Sequence, residues 1–392
     1  MQTRYYSKFA FLALLLLVSP KFFFGGFEPE MDPDGPGYPE SCTSIMVGRQ
    51  ASTDGSVITS HSCDGNYRTW LEIVPRQQHE AGSTLPILWG TLHSETPWDK
   101  NEVTQKGEIP QVEETFAYLN VAYPALNEKQ LAIGETTITG RRELRNKEGL
   151  FLIEELQKIA LQRCTTARQA IELVGRLAEE FGYGDSGECL TFADPKEVWH
   201  FEITGSGPGK PTAMWVAQRI PDDHVGVSAN IARIGEVDFD NPDYFMTSTD
   251  LREIAKRNGF WDGEEPFVFH KVISGRRPFA IRDFFVLSTM APSLNLSFDA
   301  EELPFSVKPD NKVSVEDVMA YYRETYEGTR WDMTQNLMVT VKKKDDEGNE
   351  YEETVKSPIA NPWMSYDMRN LLNNLNSEAV ASQRTIAIAG CS

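Results

Sequence analysis

The chain has 392 residues, of which 40% are hydrophobic and 24% are charged, so its composition is that of a globular protein with room for a large core. Its formal net charge is −20 at pH 7. A surface of this charge would repel phosphate backbones, which argues against nucleic-acid binding.

The first residues have the pattern of a targeting segment. A basic start, MQTRYYSK, precedes the apolar run from Phe9 to Val18, which has the length of a signal-peptide core and is too short to span a bilayer. We therefore predict a signal peptide over residues 1–26, ending near Gly25 and Gly26. The expected protein is exported, periplasmic or extracellular, and has no membrane contact once the signal is removed.

An acidic leader follows over residues 27–41. It contains four prolines and cannot bury a core, so we expect it to be flexible. The pattern changes abruptly at Cys42. No linker divides residues 42–392, and this stretch is predicted to form one catalytic domain.

The domain opens with β-rich segments. CTSIMVGR and SVITSHS flank an Asp54-Gly55 turn and predict a hairpin that begins at Cys42. WLEIVP predicts another strand. The stretch from Phe116 to Ile138 predicts two strands joined by a turn that contains Asn127.

Two helices should come next. Glu148 to Arg163 carries apolar residues at helical spacing, and Thr166 to Phe181 opens with a capping box. Two hairpins are then predicted, ECLTFADPKEVWHFEIT and AMWVAQRIPDDHVGVSAN, the second turning at residues 221–223.

Smaller elements complete the pattern. Short helices are expected near Asp250 to Arg257 and Ser314 to Tyr326, and a charged hairpin at MVTVKKKDDEGNEYEETV. Because strands and helices are segregated along the chain, the order predicts an α+β fold and not a parallel, doubly wound one.

The sequence gives little support for a metal site or for a serine nucleophile. The five cysteines contain no C-x-x-C pair, so a zinc site and any other cofactor are not expected: Cys42, Cys63, Cys164, Cys189 and Cys391. His61, Cys63 and Asp64 stand on an extended segment whose side chains alternate in direction, which also disfavours a shared metal. GDSGE at residues 184–188 follows a helix end, and we interpret it as a turn.

Cys42 stands where the foldable sequence begins. It lies far beyond the apolar run, which disfavours a lipid anchor, while a disulfide stays open. Cleavage of the Ser41–Cys42 bond would give the cysteine a free α-amine. An α-amine titrates near pH 8 and a thiol near 8.5, so the amine can activate the thiol without a histidine. This chemistry explains the position, since a residue inside a chain has no free amine.

The segment CTSIMVGRQASTDGSVITSHSCDG resembles the start of the dipeptidase A and secernin family of N-terminal-nucleophile (Ntn) cysteine hydrolases. Three further blocks match in order: LNEKQLAIGETT, WVAQRIPDDHVGVSAN followed by ARI, and YEGTRWDMT. The resemblance implies an αββα sandwich of two antiparallel sheets between helical layers. It also implies hydrolysis of dipeptides or short peptides without a cofactor, and leaves homo-oligomer formation open.

The resemblance also assigns roles to residues. It implies that Cys42, freed by cleavage after Ser41, is the nucleophile, that Asp64 is a supporting acid, and that Asn230 helps to bind the oxyanion. Thr136 falls at the position of a second oxyanion residue.

The roles of the other candidate site residues have alternative interpretations. Glu135 or Asp64 would suit a substrate N-terminus, because both are carboxylates. Arg233 is either a ligand of the substrate carboxylate or part of a structural ion pair. Asn127 is either functional or, as a turn residue, structural.

The sequence departs from the family pattern twice. Many relatives have R-N-x-D where this chain has HSCD, so His61 replaces an arginine that would favour the thiolate, unless another cation takes its place. The family also continues beyond the point at which this chain stops, so the domain is expected to lack part of the usual C-terminal region. Two alternatives stay open, an acylase for non-peptide amides and an inactive, secernin-like binding protein.

Overall fold

A computed structural model of the protein describes residues 42–63, 67–68, 70–94, 103–138, 140–332, 338–345 and 347–356. The predicted signal peptide and leader, including Ser41, lie outside these ranges. Asp64 and the chain beyond residue 356 also lie outside them.

Strands dominate the described part of the chain. In chain order they are β1 (Cys42–Val47), β2 (Ile58–Cys63), β3 (Glu72–Val74), β4 (Gln77–Gln78), β5 (Thr84–Trp89), β6 (Thr104–Pro110), β7 (Glu114–Thr115), β8 (Tyr118–Asn120), β9 (Leu126–Asn127), β10 (Ala132–Ile138), β11 (Gly187–Ala193), β12 (Val198–Gly205), β13 (Ala213–Ile220), β14 (Val225–Ser228), β15 (Phe245–Thr247), β16 (Ser306–Val307), β17 (Met338–Lys344) and β18 (Glu350–Lys356). The α-helices are α1 (Ile153–Arg163), α2 (Ala167–Phe181), α3 (Leu251–Arg257), α4 (Phe269–Ile273), α5 (Ile281–Met290) and α6 (Val315–Tyr321). No helix in these ranges is long and apolar enough to cross a bilayer.

Two antiparallel sheets form the centre of the fold. One has four strands in the order β16-β14-β1-β2, and the other has eight in the order β15-β13-β12-β11-β10-β9-β8-β3. The sheets stack through β1 and β2 on one side and β10 and β11 on the other. A 2.8 Å hydrogen bond between the hydroxyls of Thr59 and Thr191 joins them.

Helices cover the outer face of each sheet. The apolar sides of α1 and α2 pack on the eight-stranded sheet, and α5 packs on the four-stranded one. The layers therefore follow the order helix, sheet, sheet, helix, and the α+β expectation is confirmed.

Local sequence signals explain the close packing of α2. The Thr166 hydroxyl accepts a 3.3 Å hydrogen bond from the amide of Gln169 and caps the first turn. In the middle of the helix, Gly175 lies against Trp215, and a Cβ atom at residue 175 would stand only 2.3 Å from the indole ring. The glycine therefore sets the distance between helix and sheet.

Several predicted elements are confirmed and two are corrected. β1 and β2 form the expected hairpin, with Cys42 opposite Cys63. The helix predicted from Glu148 begins only at Ile153, because the amides of Leu150 and Phe151 donate hydrogen bonds to carbonyl oxygens at the C-terminal end of α2.

The second correction concerns the hairpin predicted over residues 213–230, which does not form. β13 pairs with β12 and β15, whereas β14 pairs with β1 and β16. The turn at residues 221–223 therefore carries the chain from one sheet to the other. Turn residues fix the reversal of the chain, but they do not select the strands that pair.

Candidate active site

Cys42 is the first residue of β1 and is buried, with 3% of its surface exposed. β1 lies between β14 and β2, so the cysteine has neighbours on both sides. Its amide nitrogen donates a 2.9 Å hydrogen bond to Oδ1 of Asn230, just beyond β14. The end of the strand is therefore held from the side of β14.

Asn230 connects the two sheets at this point. Its Nδ2 donates a 2.7 Å hydrogen bond to the carbonyl oxygen of Thr137 in β10. Its φ angle is 64°, in the left-handed region that asparagine tolerates better than most residues. Unusual backbone conformations are often found at functional sites. An asparagine amide has two N–H donors, so one remains for a ligand beside Cys42.

Arg282 is a site residue that the sequence did not reveal. It lies on α5, and its Nη1 donates to the carbonyl oxygen of Cys42 and, at 2.8 Å, to the hydroxyl of Thr43. Its Nη2 donates at 2.8 Å to Oδ1 of Asn230. One guanidinium thus holds both the strand end and the asparagine, and it places a cation where the family pattern had suggested one was missing.

His61 does not supply that charge. Nε2 of its ring is buried, and Nδ1 accepts a 3.2 Å hydrogen bond from the amide of Glu135. Burial lowers the pKa of His61 to about 4, so the ring is neutral at pH 7. The histidine therefore stands at the position of the arginine in the family motif but does not carry its positive charge.

Two buried carboxyl groups lie beside the nucleophile candidate. An oxygen of the Glu135 carboxyl lies within 4.8 Å of Sγ of Cys42. The carboxyl also interacts with that of Glu188, which stands on the neighbouring strand opposite Thr137. The Glu135 carboxyl accepts a 3.1 Å hydrogen bond from the hydroxyl of Thr137. Glu188 belongs to the GDSGE segment, for which the sequence predicts a turn. Its proximity to Glu135 follows only from the pairing of β10 with β11.

Burial controls the protonation of this pair. It raises the pKa of Glu135 to about 7 and that of Glu188 well above its ordinary value. Neither Oε2 atom receives a hydrogen bond from a donor in the described residues. Two carboxyl groups in contact cannot both ionise cheaply, so the pair shares a proton at neutral pH and carries about one negative charge.

The surroundings of the pair are acidic and aromatic. Asp185 is half-buried, and desolvation raises its pKa; desolvation also raises the pKa values of Tyr67 and Tyr123, so both phenols stay neutral. The rings of Tyr67 and Tyr123 meet edge to face, with their centroids 5.4 Å apart. A cation entering this region would meet negative charge and aromatic faces.

Asn127 and Thr136 have structural contacts. The Asn127 side chain donates to the carbonyl oxygens of Leu161 and Cys164 and accepts from two amides of its own turn. This is the structural interpretation of the residue. Thr136 is buried between the sheets, where its hydroxyl bonds to that of Ser228, on the opposite face of β10 from Glu135.

Arg233 also occupies a structural position. Its Nη1 donates to the carbonyl oxygen of Pro278, and its Nη2 donates to those of Pro304 and Phe305. The side chain is buried, with the carboxylate of Asp283 at 3.9 Å. These carbonyls already occupy both ends of the guanidinium fork, which favours the structural alternative over a contact with a substrate carboxylate.

Two groups of three side chains in the described residues have potential metal-ligand atoms within 4.8 Å of one another: Cys42, Cys63 and Glu135, and Cys189, His200 and Glu202. The second group is fully buried between the sheets. There, Oε1 of Glu202 already accepts hydrogen bonds from His200 and from the amides of residues 233 and 234. The first group includes the nucleophile candidate, Cys42.

Comparison with known proteins gives the family. The sequence model described as peptidase family C69 matches residues 41–349. The chain is similar to a probable dipeptidase of Latilactobacillus sakei, with 28% identity over 74% of this chain and 62% of the relative. It is also similar to a probable dipeptidase of Salmonella dublin (28% identity, 74% of this chain, 68% of the relative) and to dipeptidase A of Lactobacillus helveticus (24%, 74% and 62%).

The match thus spans about three fifths of the length of the L. sakei and L. helveticus relatives. The matched region of this chain starts one residue before Cys42 and includes both sheets that form the site. This chain belongs to peptidase family C69.

Proposed function

We propose that the protein is an exported cysteine dipeptidase whose nucleophile is an N-terminal Cys42. The family and the names of the similar proteins support dipeptide hydrolysis. The signal-like N-terminus supports export. The position of Cys42 at the start of β1 supports a mechanism in which removal of residues 1–41 creates its free amine.

The observation that carries the proposal is the short separation, no more than 4.8 Å, between a Glu135 carboxyl oxygen and Sγ of Cys42. In a dipeptide, the α-nitrogen lies about 2.5 Å from the scissile carbonyl carbon. A thiolate attacks that carbon from about 3–3.5 Å. A Glu135 oxygen within 4.8 Å of Sγ of Cys42 is therefore near enough to bind the substrate ammonium group while the sulfur attacks.

The neighbouring residues fit the remaining steps. Once freed, the α-amine of Cys42 would stay beside Oδ1 of Asn230, which now holds the same nitrogen. Arg282 binds the same oxygen, and its charge disfavours protonation of the amine. The amine takes the thiol proton, the thiolate attacks the carbonyl carbon, and the second Nδ2 proton of Asn230 stabilises the oxyanion.

The tetrahedral intermediate then collapses. The peptide C–N bond breaks, and the leaving amine takes the proton from the α-ammonium of Cys42. A water molecule attacks the resulting thioester, releases the first amino acid and restores the thiol. The chemistry uses groups of this chain and water.

A substrate pair tests the proposal. Alanyl-alanine should be hydrolysed with a much higher kcat/KM than its N-acetylated form, because acetylation removes the positive charge that Glu135 would bind. Glu135→Gln should lower kcat/KM for the free dipeptide about 10- to 100-fold, the range expected for a charged hydrogen bond. The same substitution should have a smaller effect on kcat/KM for the acetylated form. Glu80→Gln, at an exposed glutamate, is the charge-matched control.

The alternatives give different results. Equal or faster hydrolysis of the acetylated substrate would indicate an acylase. Labelling of Cys42 by a thiol-directed probe, without turnover of any amide, would indicate a binding protein.

A further inference from the structure

Cys42 and Cys63 face each other across β1 and β2, with the Glu135 carboxyl beside them. We propose that these three residues form an exchangeable site for a thiophilic divalent cation such as Zn²⁺, and that the bound ion blocks the nucleophile. Binding of the ion does not depend on the proposed function, whereas inhibition rests on it.

Strand pairing brings the thiols together. The amide nitrogen of Cys42 points to β14, where it bonds to Asn230, and its carbonyl oxygen accepts from Arg282 on that side. Residues of a strand bond alternately to its two neighbours, so Cys42 and Cys63 form a non-hydrogen-bonded pair. In such pairs the Cα atoms are about 4.5 Å apart and the side chains lie closest.

The spacing suits a tetrahedral ion after a small adjustment. Zinc binds sulfur at about 2.3 Å and carboxylate oxygen at about 2.0–2.2 Å, which places two sulfur ligands about 3.8 Å apart. The ligand atoms here lie within 4.8 Å of one another. A shift of about 1 Å or less, reached by rotating the cysteine side chains, would therefore complete the coordination.

The ligand chemistry favours a soft ion. Two thiolates and a carboxylate select zinc or cadmium over magnesium or calcium. Oε2 of Glu135 receives no hydrogen bond from a donor in the described residues, although the side chain is fully buried. Three protein ligands leave the fourth position for water, which is the pattern of an accessible site and not of a closed structural one.

Coordination would stop the proposed reaction. The thiolate is both the nucleophile and the metal ligand, so a cysteine bound to the ion cannot attack a carbonyl. Glu135 would also be withdrawn from the substrate ammonium group. Removal of the ion by a chelator restores both groups, which makes the inhibition reversible.

Cadmium binding tests the site without any substrate. The reduced full-length protein is titrated with Cd²⁺, whose bonds to thiolate absorb in the ultraviolet. One equivalent should bind and give this absorbance. Cys63→Ser should remove about half of the absorbance, since one of two thiolates is lost. It should also weaken binding at least about 10- to 100-fold. Cys164→Ala, in the core between the helices and the eight-stranded sheet, is the matched control and should leave both unchanged.

Activity supplies the second measurement. Zn²⁺ should inhibit dipeptide hydrolysis, a chelator should restore it, and Cys63→Ser should require at least about ten times more Zn²⁺ for the same fractional inhibition. Equal Cd²⁺ absorbance in the wild type and Cys63→Ser would overturn the site, as would no thiolate absorbance in the wild type. Normal cadmium binding by a protein that hydrolyses no dipeptide would contradict the proposed function and leave the metal site standing.

Discussion

The amide nitrogen of Cys42 and the side-chain oxygen of Asn230 form a 2.9 Å hydrogen bond between the ends of two adjacent strands. This bond fixes the nitrogen atom that would become the catalytic amine. Because Asn230 also bonds to Thr137 in the other sheet and to Arg282 on α5, three layers of the fold position that nitrogen.

The side chain of Asn230 should contribute more to activity than its left-handed backbone conformation does. Asn230→Gly keeps the left-handed conformation available but removes the amide group. We expect kcat/KM to fall about 10²- to 10³-fold, the range found when an oxyanion donor is lost. Asn295→Gly is the control, because Asn295 is an exposed asparagine with a φ angle of 48°. Similar activity in both variants would contradict the role of Asn230.

Arg282 should be required as a bidentate group and not only as a charge. Arg282→Ala should lower kcat/KM about 10- to 100-fold, since the Cys42 carbonyl and Asn230 both lose a charged donor. Arg282→Lys keeps the charge but cannot span the same acceptors, so it should restore the activity only in part.

The control for this series is Arg49→Ala. Arg49 forms a 2.8 Å ion pair with Asp222 and is 47% exposed, so its loss should have little effect. Activity and thermal unfolding are measured for all three variants. An Arg282→Ala enzyme as active as Arg49→Ala would show that Arg282 does not position the site.

The buried pair of Glu135 and Glu188 should make the folded state less stable as the pH rises and the pair loses protons. Folding raises the pKa of Glu188 above its ordinary value of 4.5, so the protonated carboxyl favours the folded state at low pH. That stability is lost as the pH rises from about 4.5 through the raised pKa values of the pair. Glu188→Gln removes one carboxyl. The stability of the variant relative to the wild type should therefore be greater at pH 8 than at pH 5: the difference in the free energy of unfolding, variant minus wild type, should increase by at least about 1 kcal/mol.

Thermal and denaturant unfolding at pH 5 and pH 8 measure this difference. Glu80→Gln, at the surface, should show no comparable dependence on pH. If Glu188→Gln lost stability relative to the wild type as the pH rose, the pair would not carry the buried charge described above.

Local signals in the sequence predicted much of the frame. Alternating residues and an Asp-Gly turn identified the hairpin from Cys42 to Cys63, and a capping box identified the start of α2. These features depend on residues close together in the chain.

Contacts between distant residues could not be predicted in this way. Arg282 reaches Cys42 from a helix that no sequence pattern had indicated. Glu188 meets Glu135 only because β10 pairs with β11, and the two thiols of the proposed metal site meet only through the register of β1 and β2. Asp64 lies outside the described residues, so its predicted role as a supporting acid remains a prediction.

The mass of the purified protein shows whether Cys42 is the N-terminal nucleophile. Active enzyme should begin at Cys42, with residues 1–41 removed. Cys42→Ala should hydrolyse no dipeptide, even when its leader is removed by an added protease. Full activity in protein that retains residues before Cys42, or in the Cys42→Ala variant, would contradict the proposed mechanism.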